Sequence, residues 1–198
     1  GTTSLAVYSE GNLLHAAVIP IGSSHITNDL AIGLRTSVEI AEKIKINYAS
    51  AIPQKIRESE TVSLSQFDEK DDQRIERKYI SEIVQARLGE IFAHINAELK
   101  KIGKEGMLPA GVVLTGGGSK LEDLVEATKE ELRLPAAMGQ HSLNMVGFVD
   151  KLTDPVYATS VSLFAYALEQ SAKSRFGGMG TAGGFYDKTK SFFKQFLP

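Results

Sequence analysis

Three consecutive glycines directly behind a short apolar run constrain this chain more than any other feature. Gly111–Thr115 (GVVLT) reads as a buried-type strand, Gly116-Gly117-Gly118 as a turn, and Leu121–Leu132 as the helix that follows. Glycines behind a strand let the backbone approach a ligand closely, and the next helix offers unpaired N–H groups and the positive end of its dipole. The segment is neither the dinucleotide fingerprint G-x-G-x-x-G nor a P-loop, because no Gly-Lys-Ser/Thr follows at the required spacing. By itself it reads either as a ligand turn or as a tight strand-to-helix connection.

The remaining elements are strands and helices in mixed order, an α/β or α+β pattern. Ser4–Ser9 and Leu13–Ile21 flank the turn signal Glu10-Gly11-Asn12 and predict a β-hairpin. From Ile26 the apolar spacing becomes helical, and a second helix is expected over Ser37–Ala49 with Val38, Ala41, Ile44 and Tyr48 on one face. Pro53 ends that helix or follows its end. Thr61–Phe67 alternates as a strand, and Asp68–Lys78 is a charge run expected to form a loop. Tyr79–Ile102 has the rhythm of a long amphipathic helix. Asp154-Pro155 is a helix start, with Asp as N-cap and Pro in the first turn, and the helix to Lys173 is apolar on most sides.

Two further groups of residues have chemical interest. Gly1-Thr2-Thr3 precedes the hairpin, and small hydroxyl residues beside glycine can donate to phosphate oxygens; the same residues also read as a plain strand edge. Glu42 and Lys45 lie three apart on one face of the second helix. On spacing alone they form an ordinary surface pair, but a carboxylate and an amine so placed can also hold ribose hydroxyls and a purine.

Taken together, these segments resemble the FtsA family of bacterial cell-division proteins, within the actin, heat-shock-chaperone and sugar-kinase superfamily. The stretch Gly1-Thr2-Thr3 is similar to the end of the superfamily's second phosphate motif. Pro20–Ser37 (PIGSSHITNDLAIGLRTS) followed by Ala41–Ala49 (AEKIKINYA) resembles the FtsA pattern. Val113–Leu124 (VLTGGGSKLEDL) resembles the adenosine motif, and Asp154–Leu168 (DPVYATSVSLFAYAL) the last core helix.

The resemblance implies an α/β, actin-like (ribonuclease H-like) second half, with a sheet subdomain and a smaller inserted α+β subdomain. Residues 1–26 and 107–176 would form the nucleotide-binding sheet subdomain, with 153–173 as its last core helix, and 27–106 the upper subdomain. It implies ATP with Mg2+ as cofactor. Thr2 and Thr3, with Gly1, would lie near the phosphates and Gly22 would border them. Glu42 and Lys45 would face the adenosine. Gly116, Gly117, Gly118 and Ser119 would line purine and ribose, with Lys120 near the base. The aspartate that opens the second phosphate motif and organises the magnesium has no counterpart in the chain, which reads as a cut inside a domain, so weak or no ATP binding is expected of the isolated chain, and slow or absent ATPase activity of the parent protein. The upper subdomain would receive the C-terminal tail of the tubulin-like protein FtsZ, with Arg77, Lys78 and Arg87 as contacts for acidic groups. The family also implies self-association into actin-like filaments, contact with other division proteins, and a place on the cytoplasmic side of the bacterial inner membrane at the division site. A pilus-assembly relative of FtsA, or a sugar kinase of the same superfamily, is the rival reading.

The C-terminal stretch carries a signal of its own. Residues 177–184 (GGMGTAGG) have the composition of a flexible linker. On a helix, Phe185, Tyr186, Phe192, Phe193, Phe196 and Leu197 fall within an arc of about 140°, opposite the lysines. Aromatics facing lysines behind a linker predict an interfacial helix over 185–198 that binds an anionic membrane surface. No apolar run is long enough to span a bilayer. The net charge of −2 gives no basic field for nucleic acid. The absence of cysteine excludes disulfides and thiolate metal sites and fits a reducing compartment. His15, His25, His94 and His141 show no metal-ligand spacing.

Overall fold

The computed structural model describes residues 1–69, 71–139 and 154–176. Strands β1 (Thr3–Ser9) and β2 (Asn12–Ile19) form the expected antiparallel hairpin. Glu10 and Gly11 both have positive φ (51° and 81°), the geometry that matches a two-residue turn to the twist of its strands. Val7 and Ile19 face the core, whereas Tyr8, Leu13 and Val18 are exposed.

Helix α1 (Ser23–Gly33) starts three residues before Ile26. Its first turn, Ser23-Ser24-His25, is polar and so invisible to apolar periodicity. A reciprocal cap organises it: the Gly22 N–H donates to His25 Nδ1 (3.2 Å) and the His25 N–H to the Gly22 carbonyl (2.9 Å). Helix α2 (Val38–Tyr48) is capped by Ser37, whose hydroxyl oxygen accepts from the Ile40 N–H. Ala41 and Ile44 are buried as expected, but Val38 is more than half exposed and lines an open groove beside α1.

The apolar alternation of Thr61–Phe67 becomes strand only over β3 (Thr61–Ser63); Leu64–Gln66 turns as a 3-10 segment. Its partner β4 (Arg74–Glu76) lies inside the charge run expected to be loop. One inward residue, Ile75 opposite Val62, is enough to seat that strand, so composition hides it. Helix α3 (Arg77–Lys101) carries Ile80, Val84, Leu88, Ile91 and Leu99 into the core. It ends in a left-handed Gly103 (φ 65°): the Gly103 N–H bonds the Lys100 carbonyl and the Lys104 N–H the Leu99 carbonyl.

Strand β5 (Val112–Leu114) pairs in parallel with β6 (Ala136–Met138), which the sequence reading does not contain. Behind β5 the chain makes a 3-10 turn, Gly117–Lys120, and helix α4 (Leu124–Leu132) begins three residues later than expected. The cause is Asp123, held in the left-handed region (φ 60°), which separates turn from helix. After a short 3-10 turn, Pro155–Tyr157, helix α5 spans Ala158–Phe176. Asp154 caps that turn through the Val156 N–H (3.0 Å), as its sequence predicts. Ala158 and Val161 are buried, while Leu163, Tyr166 and Leu168 face outward. The linker 177–184 and the predicted helix 185–198, with Phe185, Tyr186, Phe192, Phe193, Phe196 and Leu197, lie outside the described residues.

Candidate functional site

The site gathers where the start of α1 meets the N-terminal strand and the glycine turn. Gly22 lies against the backbone of Thr2: a Cβ there would come within 2.9 Å of the Thr2 carbonyl oxygen and 3.0 Å of its nitrogen. Absence of a side chain is therefore what permits the crossing. The Thr3 hydroxyl donates to the Ile21 carbonyl (2.8 Å) and fastens the same crossing from the other side.

Lys45 reaches from α2 to the first turn of α1. Its ammonium, 8% exposed as a residue, sits among Ser23 Oγ (3.0 Å), the Ser23 carbonyl (3.3 Å), Thr27 Oγ1 (2.8 Å) and Glu42 Oε2 (2.6 Å). The Thr27 hydroxyl also bonds Glu42. Four acceptors around three N–H donors satisfy the buried charge within the protein. Burial alone would raise the Glu42 carboxyl, but the hydrogen bonds from Lys45 and Thr27 and the lysine charge bring it below its ordinary value. Beside this network an open groove of about 490 Å³ is lined by Ser24, Thr27, Asn28, Val38, Glu39, Glu42 and Lys43. Glu42 thus looks into a groove while Lys45 faces inward beneath it.

The glycine turn packs against the first residue of α1. A Cβ on Gly118 would lie 3.6 Å from Ser23 Cβ, which seats the turn on the start of α1. One on Gly117 would lie 3.6 Å from Val156. Gly116 takes φ 87°, which glycine adopts without strain. The Ser119 hydroxyl donates to the Gly116 carbonyl (2.7 Å), so it shapes its own turn. Lys120 pairs with Asp154 (2.8 Å). Of the residues singled out in the sequence, Thr2, Gly22, Glu42, Lys45 and Gly118 therefore converge, with Ser23 and Thr27 joining them. Those two were not foreseen, although a Ser and a Thr four apart on one helix face were the available signal.

Arg77, Lys78 and Arg87 lie apart from this site and already hold carboxylates. The Arg77 guanidinium bonds the Tyr48 carbonyl (2.8 Å), Glu60 (2.9 Å) and Glu122. Arg87 grips Asp29 with two N–H groups (2.6 and 2.9 Å) and also meets Glu90. Lys78 is the loosest, 3.6 Å from an exposed Glu58.

Asp123 also titrates below its ordinary value; burial would raise it, but hydrogen bonds from Lys55 and Ser50 outweigh that. Folded-state values lowered in this way contribute stability that is present above the unfolded pKa and lost as pH falls through the folded one. Denaturant melts of the protein across a pH series should therefore be level near neutrality and lose stability below about pH 4. Replacing Asp123 by Asn should flatten part of that decline.

The fold built from these elements is the actin-like α/β fold. Among solved structures, MreB5 of Spiroplasma citri bound to ADP superposes with a TM-score of 0.63 at 15% identity, covering 87% of this chain and 53% of that one. The PilM–PilN type IV pilus biogenesis complex superposes with a TM-score of 0.57 at 17% identity, covering 81% of this chain and 41% of that one. The model of the family described as Cell division protein FtsA matches residues 1–162. The chain belongs to the FtsA family. The FtsA of Pseudomonas aeruginosa is 37% identical over 186 residues, 94% of this chain and 44% of that protein. The FtsA of Escherichia coli K12 is 30% identical over 176 residues, 85% of this chain and 42% of that protein. The chain thus spans less than half the length of these curated relatives.

Proposed function

We propose that this chain supplies the adenosine-side wall of an ATP site in an FtsA-type protein acting in bacterial cell division. The convergence of the Glu42/Lys45 pair, the start of α1 and the Gly118 turn carries this reading. A groove lined by the Glu42 carboxylate, with the glycine turn packed on the neighbouring start of α1, suits a ribose and a purine: the carboxylate accepts from hydroxyls, and side-chain-free backbone nearby permits close approach. Lys45 acts from beneath, by holding Glu42 and the first turn of α1 in place. The threonines at the Thr2–Gly22 crossing stand near the phosphates.

Magnesium is a different matter. Among the described residues no cluster of three or more His, Asp or Glu is placed to hold a metal ion. The described residues by themselves offer no such ligand set. Nucleotide acts chiefly as a conformational ligand in this reading.

Residues 1–26 and 107–176 serve as the sheet subdomain and 27–106 as the upper one. The upper part receives the FtsZ tail, with Lys78 as its most available cation near the start of α3 and Arg77 and Arg87 exchanging carboxylate partners. The segment 185–198 binds the anionic inner face of the membrane, which places the protein there peripherally; no described helix is long and apolar enough to cross a membrane. The protein self-associates into actin-like filaments that hold FtsZ at the membrane and recruit other division proteins. Two measurements test this. Calorimetric titration of Mg-ATP into the protein at its natural length should saturate, whereas residues 1–198 alone should bind weakly or not at all. Co-sedimentation with anionic vesicles should be lost when 185–198 are removed. Equal sedimentation with and without the segment would end the tether reading, and an absence of saturation at natural length would end the nucleotide reading.

A further inference from the structure

Asp123 occupies the N-cap position of α4, yet its carboxylate makes no capping bond to that helix. An Asp at this position ordinarily accepts from the helix's own first turn. Here the side chain turns away. Oδ2 accepts from the Ser50 hydroxyl (2.7 Å) and Oδ1 from the Lys55 ammonium (2.5 Å). The backbone repeats the attachment one residue earlier, where the Glu122 carbonyl accepts from the Ala51 N–H (2.8 Å). Residues Ser50 and Glu122 form a lone parallel bridge.

At Ser50 the receiving side is buried and hydrogen-bonded. Ser50 is 1% exposed, and its N–H donates to the hydroxyl of Ser81, which is fully buried in α3 (3.0 Å). Ser50 follows α2, the helix that carries Glu42 and Lys45, by two residues. Arg77 ties Glu122 to the Tyr48 carbonyl at the end of the same helix. On the other side, Asp123 stands three residues past the Gly117–Lys120 turn. A residue in the left-handed region costs strain that glycine would avoid, and the structure retains an aspartate there. Both departures from local preference, the unused cap and the positive φ, deliver one result: the glycine turn is registered against α2.

We propose that Asp123 is a positioning residue that fixes the Gly116–Lys120 turn against the Glu42/Lys45 helix, so that nucleotide affinity depends on a carboxylate outside the nucleotide groove. This rests on the nucleotide reading above. Apparent affinity scales with the fraction of molecules whose site is correctly assembled. A turn released from Ser50 and Lys55 samples other positions and lowers that fraction.

The test uses the protein at its natural length, with Asp123→Ala, Asp123→Asn and Ser50→Ala. Two quantities are measured: amide hydrogen exchange of Gly117–Lys120 without nucleotide, and the dissociation constant for Mg-ATP. Asp123→Ala should speed exchange at the turn more than elsewhere and weaken ATP binding about tenfold, or about 1.4 kcal/mol. Asp123→Asn, which retains an acceptor for Ser50, should recover affinity to within about threefold of wild type. Ser50→Ala should move both quantities in the direction of Asp123→Ala, and it stands in if that variant does not fold. Unchanged exchange at the turn overturns the proposal. So does faster exchange with unaltered ATP affinity, which would leave Asp123 a purely structural role. A wild-type protein that fails to bind ATP overturns the nucleotide reading instead, and the exchange data still decide whether Asp123 fastens the turn.

Discussion

Replacing Gly111 by alanine should lower the melting temperature by about 10 °C, the largest single-methyl effect expected in this fold. Two penalties coincide. Gly111 has φ 80°, where an L-residue costs about 1–2 kcal/mol. A Cβ at this position would also overlap the Pro135 carbonyl oxygen and lie 2.9 Å from its carbon. The obstacle is backbone, so no flexible side-chain end can move aside. That carbonyl accepts the Val112 N–H (2.7 Å), the first bond joining β5 to the segment leading into β6. Relief of the overlap must stretch this bond, adding about 1–3 kcal/mol of overpacking. The sum, about 2–5 kcal/mol, has its middle at the stated shift when converted at about 2–4 °C per kcal/mol for a chain of this size. Gly116→Ala is the control. Gly116 shares the positive φ (87°), but its Cβ would meet nothing within 4 Å. With ψ 170° it sits in an extended, positive-φ region that is essentially glycine-only, so it should lose the conformational part alone, about 1–3 kcal/mol. Equal melting temperatures for the two variants would show that the crowding at Pro135 does not matter.

The contrast between those glycines marks what the sequence could and could not disclose. Gly116 is legible because it stands in a run of three behind an apolar strand. Gly111 is read only as the first residue of that strand, since the carbonyl that excludes a Cβ belongs to Pro135, more than twenty positions away. The same holds for the elements. The hairpin, α2 and α3 repeat their apolar residues at the period of their structure, and periodicity is local information. β4 has a single inward residue and β6 three small or flexible ones (Ala136, Ala137, Met138), so their existence depends on partners elsewhere in the chain. At the site, Glu42 and Lys45 were visible as a pair, but not that Lys45 points inward. Its orientation is set by Ser23 and Thr27 on another helix. Arg77 and Arg87 read as open cations because their carboxylate partners, Glu60, Glu122 and Asp29, are brought to them by tertiary packing. The FtsA resemblance supplied the order of the motifs, and the geometry added which side chains meet.

Within the Lys45 network the two charges should prove unequal. Among the described residues Glu42 is the one carboxylate bonded to the almost wholly buried Lys45 ammonium, and Glu42→Gln leaves that charge among neutral acceptors. An uncompensated buried charge costs about 3–5 kcal/mol, and the low end applies because the glutamine amide oxygen still accepts a hydrogen bond. Lys45→Met keeps the volume of the stem and deletes the charge. It forfeits bonds to Ser23 and Thr27, about 1–3 kcal/mol in all, whereas Glu42, with 44% of its side chain exposed, is solvated from the groove. In chemical denaturation Glu42→Gln should thus be the less stable variant. The double variant should be no worse than Lys45→Met alone, because the lysine charge that penalises Glu42→Gln is gone. Nucleotide affinity should rank differently: both single variants and the double should bind Mg-ATP at least about tenfold more weakly at the protein's natural length, since each loses either the groove carboxylate or the group that holds it. Additive stability losses in the double variant would mean that Glu42 and Lys45 act independently. An ATP affinity that followed stability alone would remove Glu42 from the nucleotide site.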